Sequence, residues 1–474
     1  MLEQNEARDV EHPLPEIPRL RFLFTTLGYV ETDFYARAGR DLVKRGHQVA
    51  HVTWSRRAAN ALRRRGETAW CMPDLLRACP DADDLDAEAE ALRARYGART
   101  FRDFYRTDPV CEGRDETWCV DRTRRHLVAL ECVFDDWAPD VVVPEVGNET
   151  IRLAAHQVGL RRGLPVLFLL YTIFDDPLRL YVDTLHAPIV DPSDVRDPDP
   201  AARAAFEEFR RAFLGRRTAI REHRRSPFTA RHVRMAARHL IVRATTDRDN
   251  DYLRPGRWLA EVPRERIRAL AARRTYGPLP QRPFVYFPLH VTDDYKIKRV
   301  IPHCVDQASI VELVAASLPH GHELVIKEHP MSIGRTPPQL LRRLNRLANL
   351  TVVPPATNSH ELIERSEAVA VISSTVGLEA LLHEKPVLTI GEPFYSHLGL
   401  TLDLQGTADI IDGVPALMRF RPDPEAIVRI LAAAMQRCLP GAPVTVDRSD
   451  ANAWDLAGSL EQIALAEAGR RAGS

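Results

Sequence analysis

The sequence predicts an α/β protein made of two halves, each built on a parallel sheet, and three observations carry that prediction. Its 474 residues exceed the roughly 250–300 at which one hydrophobic core stops growing. From residue 20 to about 185, short apolar runs alternate with longer helical stretches, the rhythm of consecutive βα units. The same rhythm restarts at Phe284 and continues to Ile390.

Taken in order, residues 1–18 are acidic and proline-containing and read as a flexible tail. Leu20 to Thr25 is the first strand. Thr32 is placed to cap a helix on which Phe34, Ala38 and Leu42 recur at four-residue spacing, and Gly46 stops it. Gln48 to Trp54 is the second strand. Residues 56–125, rich in arginine and aspartate, read as a mostly helical insertion over the sheet. Strands at Val141–Val143 and Pro165–Leu170, with a helix over Asn148–Val158 between them, complete a Rossmann-like domain spanning residues 19–185.

Residues 186–280 open with prolines 188, 192, 198 and 200 and continue as arginine-dense helices, an interdomain region. Arg221, Arg224, Arg225, Arg231, Arg234 and Arg238 read as a solvated helix face in preference to a surface for anionic lipid or polysaccharide. A second Rossmann-like domain follows over 281–420, with strands at 284–287, 323–327, 350–353, 368–372 and 386–390. Two helices separated by Pro440-Gly441 occupy 421–474.

Composition narrows the function classes. Basic and acidic residues balance at 65 each, so no overall field recruits nucleic acid. Seven cysteines lack Cys-x-x-Cys spacing and read as reduced thiols, which together with the absence of a secretory signal or a long apolar run points to the cytoplasm. The Asp-Asp pairs at 135, 175 and 293 do not read as metal sites.

Ligands of parallel sheets bind beyond the carboxyl ends of the strands, so motifs there weigh most. After the strand ending at Lys327 come Glu328-His329-Pro330 and Gly334-Arg335. His329 is a donor for a phosphate or ribose oxygen, Pro330 fixes the turn that aims it, and Lys327 and Arg335 add positive charge. After the strand ending at Ile372, Ser373, Ser374 and Thr375 lead into a helix with Gly377 in its first turn. Hydroxyls and helix-start N–H groups there form an anion site, the glycine lets a phosphate approach, and Glu379 is placed to accept from ribose hydroxyls.

The stretch Pro288-Leu289-His290, Asp306-Gln307, Lys327 to Pro330 with Gly334-Arg335, Ser373 to Leu381, and Lys385-Pro386-Val387 with Gly391 resembles the capsule polysaccharide biosynthesis family, which includes Kdo transferases of the GT-B fold. The resemblance implies a GT-B-like pair of Rossmann-like domains whose parallel sheets face a central cleft. It implies that His329 and Ser373–Thr375 hold the phosphate of a nucleotide-sugar donor, often a CMP-activated acidic sugar, with His290 lining the same cleft. Tyr395 and His397 lie beyond the next strand. The acceptor would be a glycan or lipid-linked sugar, with no metal or other cofactor required, at the cytoplasmic side and in peripheral contact with the inner membrane or capsule machinery.

For the N-terminal half, the carboxylates at strand ends are Glu145 and Glu149, and Asp175 and Asp176, with Glu145 and Asp176 as candidates for the catalytic group. The Glu-Glu-Gly run seen in many family members is replaced here by Tyr171-Thr172-Ile173-Phe174-Asp175-Asp176-Pro177. Two rival readings therefore stand beside the transferase. One is a nucleotide-sugar epimerase or hydrolase on the same scaffold; the other is a non-catalytic accessory protein of capsule assembly or export.

Overall fold

The computed structural model of the chain describes residues 18–216 and 230–472. The first half holds β1 (Arg21–Thr26), α1 (Tyr29–Lys44), β2 (Gln48–Thr53), α2 (Arg56–Arg64), β3 (Thr68–Cys71), α3 (Met72–Ala78), α4 (Leu85–Arg95), α5 (Glu116–Trp137), β4 (Val141–Val143), α6 (Thr150–Arg161), β5 (Leu167–Tyr171) and β6 (Leu178–Val182). Three helices follow: α7 (Pro200–Arg216), α8 (Ala230–Thr245) and α9 (Pro255–Ala272).

The second half comprises β7 (Phe284–Pro288), α10 (Gln307–Ser317), β8 (Glu323–Lys327), α11 (Pro338–Leu344), β9 (Leu350–Val353), α12 (Ser359–Arg365), β10 (Ala368–Val371), α13 (Val376–Leu382), β11 (Val387–Thr389), β12 (Leu402–Asp403) and α14 (Ile410–Leu417). It is followed by α15 (Pro424–Gln436) and α16 (Asp450–Ala472).

Both halves are α/β with parallel sheets, as expected. The second sheet runs β12-β11-β10-β7-β8-β9, all parallel. Counted from β7, that is the strand order of a doubly wound nucleotide-binding sheet, which reverses direction between β7 and β10. The first sheet runs β3-β2-β1-β4. A single parallel bridge, Val142 to Val166, carries the order on toward β5. Its reversal falls between β1 and β4.

Burial on both faces explains the near-continuous apolar runs of these strands. Along β7, Phe284 and Tyr286 join a core shared with the first half, while Val285 and Phe287 pack into a separate core on the opposite face. Alternation on β1 does the same, with Leu23 in the shared core and Phe22 and Phe24 against α1 and α16. The last helix thus returns to the first half, where Glu461 pairs with Arg45 (2.9 Å) and with His47 Nε2 (3.0 Å). Aromatic side chains on α7 link the halves, Phe209 lying 5.2 Å from Phe174 and Phe213 lying 5.0 Å from His360, ring centre to ring centre.

Three expectations are corrected. Thr32 does not cap α1; Gly28 occupies that position. Thr32 sits one turn in, where its buried hydroxyl bonds to the Gly28 carbonyl (2.9 Å) and to Thr26 (2.7 Å) and Thr53 (2.9 Å). Residues 56–125 are not purely an insertion, because β3 pairs with β2 and extends the sheet at its edge. And β5 does not end as an ordinary parallel strand: it turns back as an antiparallel hairpin with β6.

Residues 1–17 of the expected tail, and Arg221, Arg224 and Arg225 of the basic run, lie outside the described residues. Arg234 and Arg238 are exposed on α8. Among the described residues no helix is long and apolar enough to cross a membrane.

Candidate functional site

The site is assembled at the two reversal points. In the second half, the loop after β7 brings His290 against the loop after β10, and the Ser373 N–H donates to His290 Nε2 (3.1 Å). Gln307 secures His290 from its backbone, accepting from its N–H at 2.8 Å and donating to its carbonyl at 3.3 Å. Burial pushes the His290 imidazole down to about 4, so it is neutral at pH 7. With Nε2 accepting, the proton resides on Nδ1. His329, exposed after β8, accepts from the Met331 N–H through Nδ1 (3.1 Å), so its proton resides on Nε2. Pro330 begins the single 3₁₀ turn that sets this geometry.

Ser373 is buried, whereas Ser374 and Thr375 are half-buried at the start of α13. Ser374 Oγ accepts from the Val376 N–H (3.2 Å). The structure places four of the sequence-based candidates against other parts of the protein. Gly377 is required by the protein's own packing: a Cβ at that position would lie 2.0 Å from the Tyr395 hydroxyl. That hydroxyl donates to the Ser374 carbonyl and is fully buried. Glu379 is 1 % exposed, buried beneath the turn. Burial raises its carboxyl to about 7 against the opposing pull of Lys327.

Lys327, the third of the four, points to the face that Val325 shares with α12 and α13, two residues along the same strand. Its ammonium donates to Ser359 Oγ (2.5 Å) and the Thr357 carbonyl (3.0 Å). Arg335 faces away as well, paired with Glu265 of α9 at 3.1 Å. The loop is pressed onto α9 there, since Gly334 has φ +76° and a Cβ on it would lie 2.0 Å from the Glu265 carbonyl oxygen.

In the first half, the reversal point opens on a cavity of about 980 Å³. The loop after β1 contributes Leu27 to Glu31, and the loop after β4 contributes Glu145 and Val146. Glu145 is 4 % exposed, and its backbone holds φ +43°, a conformation unusual for a residue with a side chain. Its Oε2 has no hydrogen-bond partner among the described residues, and burial raises the carboxyl to about 7. Arg152 of α6 opposes that rise, though it is also held by Glu31 (2.8 Å) and Glu149 (3.3 Å).

Asp176 does not join this group. It lies exposed, with Asp175, in the β5–β6 turn, because the chain reverses there instead of opening toward the cavity.

Several residues that line the cavity or brace its walls carried no motif in the sequence. Glu31 and Arg152 are separated by 121 positions. Asp108, fully buried, accepts from Thr150 N (2.9 Å), Thr150 Oγ1 (2.7 Å), Tyr252 OH (2.7 Å) and Arg122 (3.2 Å), and so fixes the start of α6 that bears Arg152. Asp247 accepts from Ser55 Oγ and the Arg57 N–H, both at 2.8 Å, tying the segment after α8 to the first half.

The two reversal points meet through one loop. Residues 289–300 begin with His290 at the second and then supply Tyr295 and Lys296 to the cavity at the first. Arg299 anchors the loop, donating to the Gly147 carbonyl (3.1 Å) and His156 Nδ1 (3.2 Å), and Asn148 Nδ2 donates to the Asp293 carbonyl (3.0 Å).

Comparison with known proteins agrees with the resemblance read from the motifs. Residues 258–433 match the family model described as capsule polysaccharide biosynthesis protein. That segment belongs to the capsule polysaccharide biosynthesis family. It contains every candidate donor-binding residue, while Glu145 lies outside it. Protein FixF of Sinorhizobium fredii is 32% identical over 139 residues, covering 28% of this chain and 32% of FixF. The capsule polysaccharide export protein KpsS of Escherichia coli is 37% identical over 87 residues, covering 18% of this chain and 22% of KpsS. The chain therefore spans about a third and about a fifth of these two relatives.

Among solved structures, the KpsC β-Kdo 2,7 transferase of Thermosulfurimonas dismutans overlaps 65% of this chain and 80% of its own, at 18% identity and TM-score 0.33. The UDP-GlcNAc 2-epimerase of Neisseria meningitidis overlaps 93% and 99%, at 14% identity and TM-score 0.29. Both overlaps are remote.

Proposed function

We propose that this protein is a glycosyltransferase of surface or capsular polysaccharide assembly. It takes a sugar from a nucleotide-sugar donor held at the second reversal point and passes it to an acceptor hydroxyl in the cavity of the first. The observation that carries the reading is the shared loop: His290 near its start meets Ser373 of the loop after β10, and Tyr295 and Lys296 further along line the cavity that also holds Glu145.

The donor is a nucleotide-activated sugar, with a CMP-activated acidic sugar such as Kdo the first to try, in keeping with the family and with the name of KpsC. His290 and His329 each present one N–H to the phosphate, and Ser374 and Thr375 border it. Glu145 is the general base: it takes the proton of the acceptor hydroxyl as that oxygen bonds to the anomeric carbon. A base whose pKa lies near the working pH combines a useful ionised fraction with real proton affinity. The acceptor is a glycan or lipid-linked sugar, the reaction calls for no cofactor, and it belongs at the cytoplasmic face of the membrane.

The test is incubation with CMP-, UDP- and GDP-sugars, each with and without glycan or lipid-linked acceptors. The expected result is release of nucleotide that depends on the acceptor. Conversion without acceptor would replace the reading by an epimerase or hydrolase, and binding without turnover would replace it by an accessory role.

A further inference from the structure

The chain contains only five lysines among its 65 basic residues. Four have an acceptor for the ammonium: Lys44 on Asp41 (2.8 Å), Lys298 on Asp293 (3.0 Å), Lys327 on Ser359 (2.5 Å), and Lys385 on the Glu364 and Ser366 carbonyls (2.8 Å each). Lys296 differs. Among the described residues its ammonium has no hydrogen bond or ion pair, and its recorded contact is the Phe394 ring, 5.5 Å from the centroid. Lys296 is half-buried, so an ammonium that is strongly hydrated in water is here partly withdrawn from it with no acceptor in its place.

Its position is defined by the backbone. Lys296 opens a π-helical turn, Lys296–Val300, a local form that recurs at functional positions. Its own N–H donates to Asp294 Oδ1 (2.8 Å), and Arg299 fastens the far end of the turn to Gly147. The side chain lines the cavity that holds Glu145 and Arg152. On the other side its charge is felt at His290, where it disfavours the imidazolium. Burial lowers its own pKa, and Asp294 works against that.

We infer that Lys296 donates to the phosphate oxygen that departs with the nucleotide, at the junction between His290 and the Glu145 cavity. The inference rests on the nucleotide-sugar reading above. In the transfer, the bond between the anomeric carbon and the phosphate oxygen breaks, and its electron pair stays on that oxygen. The acceptor oxygen bonds to the carbon, and its proton goes to Glu145. Lys296 keeps its proton throughout and meets the negative charge as it grows, the role fixed donors fill at developing oxyanions. A compact charge on a flexible stem suits a single phosphate oxygen, whereas the planar fork of the far commoner arginine suits two.

Calorimetry with CMP, UDP and GDP, and with cytidine, uridine and guanosine, tests this on wild type, Lys296→Met and Lys296→Arg. Wild type should bind one nucleotide well above its nucleoside. Lys296→Met should weaken that nucleotide about 10–100-fold, the worth of one charge-assisted hydrogen bond, with nucleoside binding and Tm unchanged. Lys296→Arg should keep most of the affinity. If Lys296→Met does not fold, Lys296→Gln is read against the same outcomes. Equal nucleotide affinity in wild type and the neutral variant overturns the role of Lys296 and leaves the nucleotide reading intact. Failure of wild type to prefer any nucleotide over its nucleoside overturns the nucleotide reading itself.

Discussion

At the second reversal point the groups around the turn are engaged with the protein, Ser373 with His290, Ser374 with Val376, Lys327 with Ser359, and Tyr395 with the Ser374 carbonyl, and the exception is Glu379 Oε1, buried beneath the turn without a hydrogen-bond partner among the described residues. At the first, Glu145 lines the cavity on a residue held at positive φ, and its Oε2 has no hydrogen-bond partner among the described residues. A network that satisfies itself gives a rigid frame, whereas a buried carboxylate without a donor is destabilising and persists where something else uses it. The proposed division, binding in one half and proton transfer in the other, rests on where the two buried carboxyls lie: Glu145 lines the cavity, whereas Glu379 sits beneath the turn.

The sharpest way to break that division is at Glu145. Glu145→Gln should lower kcat about 10²–10⁴-fold, the usual worth of a positioned acid or base, while leaving donor affinity unchanged. A base that must be ionised gives a rate that climbs as pH rises toward its pKa and levels off above it. The wild-type rate should therefore rise up to about pH 7 and then flatten, and that limb should vanish in the variant. Asp176→Asn, in the exposed hairpin turn, should change kcat less than about twofold, as surface substitutions do. The reverse pattern would move the chemistry to the hairpin.

Next in size is a comparison of stability. Burial raises Glu379 from 4.5 to about 7, so the folded protein holds a proton there that the unfolded chain has released. Its contribution is fully present below pH 4.5 and is lost as pH rises through 7, to a total of about 3 kcal/mol. Glu379→Gln cannot ionise. Its Tm relative to wild type should therefore climb between pH 5 and pH 8, read by thermal unfolding in matched buffers. A difference that stays flat would mean that Lys327 already holds the carboxylate ionised, and that the frame contains a permanent ion pair.

Five of the six strands of the second sheet were legible in the sequence because each is an apolar run, with motifs at strand ends within about 110 residues, whereas the two-residue β12 was not. Glu145 was legible for the same reason, as the first carboxylate after Val141–Val143. Lys327, Arg335, Gly377 and Glu379 were placed at the correct turns, but the protein groups beside them were not legible. Alternation along β8 decides where Lys327 points, and only the packed fold reveals that Tyr395 fills the space above Gly377. The Glu31–Arg152 and Asp108–Tyr252 pairs join residues 121 and 144 positions apart, without a local pattern to announce them. The antiparallel β5–β6 hairpin was missed because a short apolar run reads alike whichever way its neighbour runs.

The smallest effect compares two residues of one loop. His329, exposed with its proton on Nε2, and Arg335, turned onto Glu265 of α9, lie six positions apart after β8. His329→Ala should weaken nucleotide binding at least about tenfold, near 1.4 kcal/mol, the scale of one hydrogen bond to a charged group. Arg335→Ala removes a partly exposed ion pair, so affinity should stay within about twofold and stability should fall by less than about 1 kcal/mol. Calorimetry on the two variants separates them. If Arg335→Ala loses as much affinity as His329→Ala, the arginine leaves Glu265 when nucleotide binds and the loop rearranges around the phosphate. If neither loses any, the phosphate is held by His290 and the turn at Ser373–Thr375 without help from β8.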